Sequence, residues 1–269
     1  MTATTHPAPV PETGRLPLTG GRRAALLIGV PVCLVLILTT ALSLVASFGE
    51  GTYPVRYTAA GARSLSLSTP GGQLWVTGKA AGPATVTGTA RYSLVKSVVS
   101  AHTAGGVARV GYRCQVPFGD GELSLNATVP AGGGVTATTP GGDAVVTDTA
   151  GPVTVSSGGG NLAANGASGP LSLSTSGGNI NGNQLAADAV TASSGGGDVT
   201  LIFARVPHSV RVTTSGGNIT LVVPPGSYRV TTHSDSGDSA VSDTVHQDAT
   251  SPNVIDASTG GGHITIRQR

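Results

Sequence analysis

The chain has 269 residues, of which 41 are Gly and 17 are Pro, and 15 basic residues against 13 acidic ones leave a formal charge of +2. Charged residues are only 10% of the whole, which excludes a strongly basic nucleic-acid binder, and no nucleic-acid partner is expected. Aromatic residues amount to 3%, so a core must come from Val, Leu, Ile and Ala, a supply that suits a thin, layered interior.

Residues 1–23, rich in Pro and Thr, read as a short disordered tail. From Ala24 to Phe48 the chain runs AALLIGVPVCLVLILTTALSLVASF, 25 residues without a charge. A spanning helix needs about 20, so residues 24–48 are expected to form one transmembrane helix, with Pro31 near its start where a missing donor costs least. Arg15, Arg22 and Arg23 precede the segment and Glu50 is the first charge after it. The positive-inside rule then places residues 1–23 in the cytoplasm and residues 49–269 outside the cell, as a single-pass membrane protein. Val45, Ala46 and Ser47 also offer a signal-peptide cleavage site, although the apolar run exceeds the roughly 7–15 residues of a secretory signal. Both readings export the rest of the chain. Cys33 lies inside the apolar run and Cys114 far beyond it, so no intrachain disulfide is expected. Cys114 is either a buried small apolar residue or a free thiol with an intermolecular role.

The glycines are periodic. Units of the kind VTVSSGGGNLAANG begin at Leu65, Val135, Val153, Leu171, Val190 and Val210, with a degenerate copy at Tyr228 and a last one at Ile255. From Val135 to Tyr228 the starts are spaced by 18, 18, 19, 20 and 18 residues, a period that means stacked coils. Alternation puts Val153 and Val155, Leu171 and Leu173, and Val210 and Val212 on one face, with Thr154, Ser172 and Arg211 on the other. The Gly pair would permit positive φ at one bend, and a second bend falls near Gly151-Pro152, Gly169-Pro170 and Pro224-Pro225-Gly226. Two strands and two bends per unit predict an all-β, β-solenoid or β-helix-like stack of 18–20-residue coils, with a hairpin meander or sandwich as the alternative. One coil buries about four to six aliphatics at about 1.5–3 kcal/mol each, against about 1–2 kcal/mol of ordering per residue, so it cannot stand alone. Residues 56–130 carry the pattern less cleanly and are expected to form wider first coils or a cap, with the regular repeats over 131–269. The closing HITIRQR is expected to blunt an open edge with charge.

The succession [VL]-x-[VL]-x-[ST]-[ST]-x-G-G-[ND]-[IV], repeated over most of residues 65–266 behind one apolar segment, resembles the bacterial candidate-adhesin family DUF4097. The 13 Arg against 2 Lys suit an actinobacterial source. The resemblance implies an exported β-solenoid-like domain and brings no catalytic residues.

No G-x-S-x-G, H-E-x-x-H, P-loop or dinucleotide fingerprint occurs, so the chain is not expected to be an enzyme and no catalytic, cofactor or metal residue is assigned. Ser and Thr beside the Gly pairs read as outward strand and turn residues, since a nucleophile also needs a positioned base. The residues after the Gly pairs, Asp143, Asn161, Asn179, Asp198, Asn218, Asp238 and His263, are expected to stack as a polar column that holds the turns. A calcium-binding edge is the alternative, with carboxylates at only three of the seven positions. The stretch from His233 to His263 gathers Asp235, Asp238, Asp243, Asp248 and Asp256 with His233, His246 and His263. Solvated turns are the expected cause, a divalent-metal site or a catalytic dyad the alternatives. Trp75 is expected to pack at the thick end of the core rather than serve as a ligand platform.

These observations point to a membrane-anchored cell-surface module, structural or binding, that offers strand faces rich in Thr, Ser and Asn to an envelope polymer or surface protein. Self-association through the ends of the stack is a further expectation. The alternative is an accessory or sensor protein of an envelope signalling system, and an envelope carbohydrate-active enzyme comes third.

Overall fold

The computed structural model describes residues 32, 33, 35–37, 39, 40, 51–92, 98–113 and 121–269. The chain divides into two units, Met1–Phe48 and Gly49–Arg269. In the first, the described residues Val32, Cys33, Val35, Leu36, Ile37, Thr39 and Thr40 are helical and exposed. Among the described residues no helix is long and apolar enough to cross a membrane. The tail expected at 1–23, most of the span expected at 24–48, and Cys114 lie outside the described residues.

In the second unit, period-two alternation of aliphatic and polar residues gives each short strand one apolar and one hydrated face. The strands begin with β1 (Gly51–Ala59), β2 (Ser64–Ser68), β3 (Leu74–Lys79), β4 (Ala84–Tyr92), β5 (Val98–Ala104), β6 (Val107–Arg113) and β7 (Gly121–Pro130). A regular stretch follows, with β8 (Gly134–Thr139), β9 (Ala144–Thr147), β10 (Val153–Ser157), β11 (Leu162–Asn165), β12 (Leu171–Thr175), β13 (Ile180–Leu185), β14 (Ala189–Ser194), β15 (Val199–Phe203), β16 (Ser209–Thr214) and β17 (Ile219–Val223). Last come β18 (Ser227–Ser234), β19 (Ser239–Val241), β20 (His246–Gln247), β21 (Val254–Thr259) and β22 (Ile264–Gln268).

The fold is all-β, two large sheets built from a repeat. One sheet runs β1-β4-β7-β3-β9-β11-β13-β15-β17-β22-β19 and the other β20-β18-β21-β16-β14-β12-β10-β8-β2-β6-β5. Pairing is parallel apart from β1 with β4, β4 with β7 and β5 with β6. Parallel neighbours need a crossover between them, and from β8 to β17 each crossover is a single strand lying in the opposite sheet. The repeat starts therefore fall in one row, Val135, Val153, Leu171, Val190, Val210 and Ile255, all directly paired and all buried. Rows such as Ala144, Leu162, Ile180, Val199, Ile219 and Ile264 meet them from the other sheet. The nineteenth residue of the coil from Leu171 is taken up by a bulge between Gly182 and Leu185, where Gln184 adopts a φ of 50°.

The order of the stack departs from the order of the chain at both ends. β2 and β3 pair directly with β8 and β9, while β6 and β7 lie outside them. At the far end β21 and β22 sit between the coil of β16 and β17 and the coil of β18 and β19. Two expectations change. Val230, not Tyr228, occupies the repeat row, opposite Ile255. The HITIRQR segment does not blunt an edge, because β22 is paired on both sides and the short β19 takes the edge position.

Gly72, in the first Gly pair, takes the expected positive φ, at 88°, but the pairs of the regular coils act by close approach instead. The φ values at Gly159, Gly160, Gly177 and Gly178 are not positive. Instead, a Cβ built on Gly160 would fall on the carbonyl oxygen of Gly142 in the coil before it, and Gly178, Gly197, Gly217 and Gly262 repeat that relation. Successive turns thus stack backbone on backbone.

The hydroxyl before each Gly pair also departs from expectation, because the alternation carries it inward. Thr139, Ser157, Thr175, Ser194, Thr214 and Thr259 are buried. Ser194 Oγ donates to the Gly178 carbonyl at 2.8 Å and accepts from the Gly197 amide at 2.9 Å. Ser157, Thr175, Thr214 and Thr259 repeat both bonds, so the hydroxyls tie each turn to the previous one in a continuous ladder. Buried hydroxyls satisfied in both roles stabilise, whereas unpaired ones would not.

Candidate functional site

With the core sealed by aliphatic rows, chemistry can only be displayed on the outward faces, the turn edges and the ends. The residues after the Gly pairs do form a column along one turn edge. The side-chain oxygen of Asp143 accepts from the Asn161 amide at 2.7 Å, that of Asn161 from Asn179 at 2.9 Å, and that of Asn179 from Asp198 at 2.8 Å. Asp198 then accepts from Asn218 at 2.7 Å, Asn218 from His263 at 2.9 Å, and His263 Nδ1 from Asp238 at 3.1 Å. His263 precedes Asp238 in this column because the coils change order. Each side chain satisfies a backbone donor of the next coil, so the column is a ladder of turn contacts. Among the described residues no group of three or more His, Cys, Asp or Glu is placed to hold a metal ion.

The His233–His263 stretch is brought together only in pairs. His233 Nε2 and Asp235 Oδ1 are 2.9 Å apart and exposed. Ser258 lies beside His233 in the adjacent strand, but no hydrogen bond joins its hydroxyl to the ring. Asp256 pairs with Arg211 at 3.4 Å across β16 and β21. Asp248 accepts from the Thr250 hydroxyl at 2.7 Å and amide at 2.8 Å. These two bonds hold its carboxyl below the ordinary carboxylate value, with the Ser227 hydroxyl and His246 adding to the effect and desolvation opposing it. Nearby, burial pushes the Tyr228 phenol up, and its hydroxyl donates to the Pro224 carbonyl at 2.8 Å.

Trp75 is not a core residue. Leu74 and Val76 on either side point inward, so alternation turns the indole out, and it is 37% exposed beside Asn126 and Val145.

The most regular surface is the outward face of the other sheet, where two rows of hydroxyls run across the strands. Ser66, Thr136, Thr154, Ser172 and Thr191 form one row, ended by the Arg211–Asp256 pair. Ser68, Thr138, Ser156, Ser174, Ser193, Thr213 and Ser258 form the second. Strand geometry sets neighbours about 4.8 Å apart within a row and the rows about 6.6 Å apart. Sequence reading assigned these residues outward but did not foresee that they would align as an unbroken grid.

The family model described as Toastrack DUF4097 matches residues 50–267. The chain belongs to that family. Solved structures resemble this Toastrack chain at low identity. A candidate adhesin from Bacteroides fragilis is 15% identical at a TM-score of 0.41, covering 81% of this chain and 97% of its own. A candidate cell adhesion protein from Clostridium sporogenes is 14% identical at a TM-score of 0.36, covering 82% and 100%. A candidate lipid-binding protein from Parabacteroides distasonis is 9% identical at 0.41, covering 81% and 97%. No curated protein matches the chain. At these identities and scores the likeness carries no argument about function.

Proposed function

We propose that this chain is a cell-surface binding module, a β-solenoid held at the membrane by the charge-free run Ala24–Phe48, whose flat hydroxyl face engages a polyhydroxylated envelope polymer. The observation that carries the reading is the pair of aligned Ser and Thr rows from Ser66 to Thr191 and from Ser68 to Thr213. A hydroxyl both donates and accepts, so such a grid can exchange hydrogen bonds with the hydroxyls of a polysaccharide without any fixed polarity. Short side chains on paired strands lose little freedom on binding, which lowers the entropic cost of each contact. The reading assigns no catalytic residue, and the N-terminal tail is on the cytoplasmic side.

The test is co-sedimentation of residues 50–269 with purified wall polysaccharide, compared with Thr154→Lys plus Thr191→Lys on the hydroxyl face and Thr265→Lys on the opposite sheet. Loss of binding in the first variant with retention in the second is expected. Equal binding by all three proteins, or none by the unaltered one, would discard the reading.

A further inference from the structure

The two ends of the stack differ. At the end formed by β1 and β5 the outermost strands lean together, with Tyr57 Oη and Thr103 Oγ1 bonded at 2.7 Å. At the other end, β18 is paired with β21 along one edge through Arg229–Ser234, whereas its outer edge meets, among the described residues, only β20, at Ser227 and Tyr228. The backbone directions are fixed by the bonds that are made. The Arg229 amide donates to Asn253 and the Asp235 amide to Thr259, both toward β21, while the Tyr228 carbonyl accepts from Asp248 on the outer side. Alternation then turns the N–H and C=O groups of Val230, Thr232 and Ser234 outward, to an edge on which no strand of the described residues lies. Such an edge is a template for one more strand.

We propose that this edge pairs with the same edge of a second copy of the chain, antiparallel and about a two-fold axis at Thr232. That register makes Thr232 face Thr232, and Val230 face Ser234, as hydrogen-bonded pairs that exchange both backbone bonds, so the orphan groups of both copies are satisfied together. It keeps the half-buried side chains of Val230, Thr232 and Ser234 on one face and the outward ones on the other. It also sets Arg229 opposite Asp235 of the second copy, twice by symmetry, so charge selects this register over its neighbours. At the point where β20 leaves the edge, a hollow of about 230 Å³ lined by Tyr228, Arg229, Val230, Gln247, Asp248 and Ala249 lies open beside the first residues of the free edge. The inference is independent of what the hydroxyl face binds.

The test is the association state of the full chain in detergent, read by sedimentation equilibrium, with three variants. Thr232→Pro removes an edge N–H that the monomer does not use and is tolerated at such a position. It should raise the dimer dissociation constant tenfold or more while leaving the thermal midpoint in place. Arg229→Asp should weaken the dimer several-fold by setting acid against acid, and Arg229→Asp with Asp235→Arg should restore it. A full chain that stays monomeric, or a dimer indifferent both to the proline and to the charge swap, would overturn the proposal.

Discussion

The carbonyl oxygen of Gly142 occupies the place where a side chain on Gly160 would begin. Gly159, one residue earlier, has open space around it and no positive φ. Gly160→Ala must therefore push two coils apart, at a cost toward the upper end of the about 1–3 kcal/mol seen for overpacking. Gly159→Ala should be neutral or slightly stabilising, by reducing the freedom of the unfolded chain. Thermal melting of the two variants checks the contrast, and equal losses would refute it.

The buried hydroxyl ladder gives a second contrast. Ser194→Ala strands the Gly178 carbonyl and the Gly197 amide, which should cost about 1–3 kcal/mol. Ser194→Thr should cost little, since Thr175 and Thr214 hold the same place in neighbouring coils. Ser193→Ala, outward on the same strand, should leave the denaturant midpoint unchanged.

On the turn edge, Asn179→Ala removes the acceptor of the Asp198 amide and should cost about 1 kcal/mol. Asn179→Asp keeps an acceptor in place, as Asp143 and Asp198 already do, and should melt within a few degrees of the unaltered protein. A comparable loss in both variants would mean that the side-chain oxygen is not what matters there.

Two groups near the open end set opposite pH dependences. Asp248 has a depressed value in the folded state, so its contribution is present above the ordinary value of 3.8 and is lost as pH falls through the folded one. The melting advantage of the unaltered protein over Asp248→Asn should narrow on acidification. Tyr228 has a raised value, so its contribution is present below the ordinary 10.0 and is lost as pH rises through the folded one. The alkaline loss of stability should be smaller in Tyr228→Phe. Parallel pH profiles would count against each assignment.

Much of the architecture was legible because alternation and glycine spacing are local. The rows through Val153, Leu171 and Val190, and the column from Asp143 to Asn218, follow from the period alone. Ser157 and Trp75 were misplaced by chemistry read against pattern: a hydroxyl suggested the surface and an indole the core, whereas their places in the alternation say the reverse. The stacking order was not legible. Every unit presents the same two faces to its neighbours, so nothing in the Ile255 segment distinguishes a seat between Val210 and Val230 from one outside Val230. That choice is made by long-range contacts, which have no short sequence signal. The hydroxyl grid was half visible, its residues assigned outward but its continuity dependent on the register of each coil.

The seat of β21 and β22 has a consequence for how the protein is made. A chain leaving the ribosome or an export channel supplies its segments in order, so residues 227–241 are delivered before the strands that flank them on the inner side exist. In repeat proteins assembly can propagate from each unit to the next, but here growth must leave a gap after β17 and fill it with residues 254–268. A chain halted at residue 253 would carry β18 and β19 with no partner along their inner edges, exposed to proteases and to the edges of other nascent chains. Completion of this end is thus a single late event, and the arrival of residues 254–268, rather than the appearance of each coil, marks when the module becomes durable.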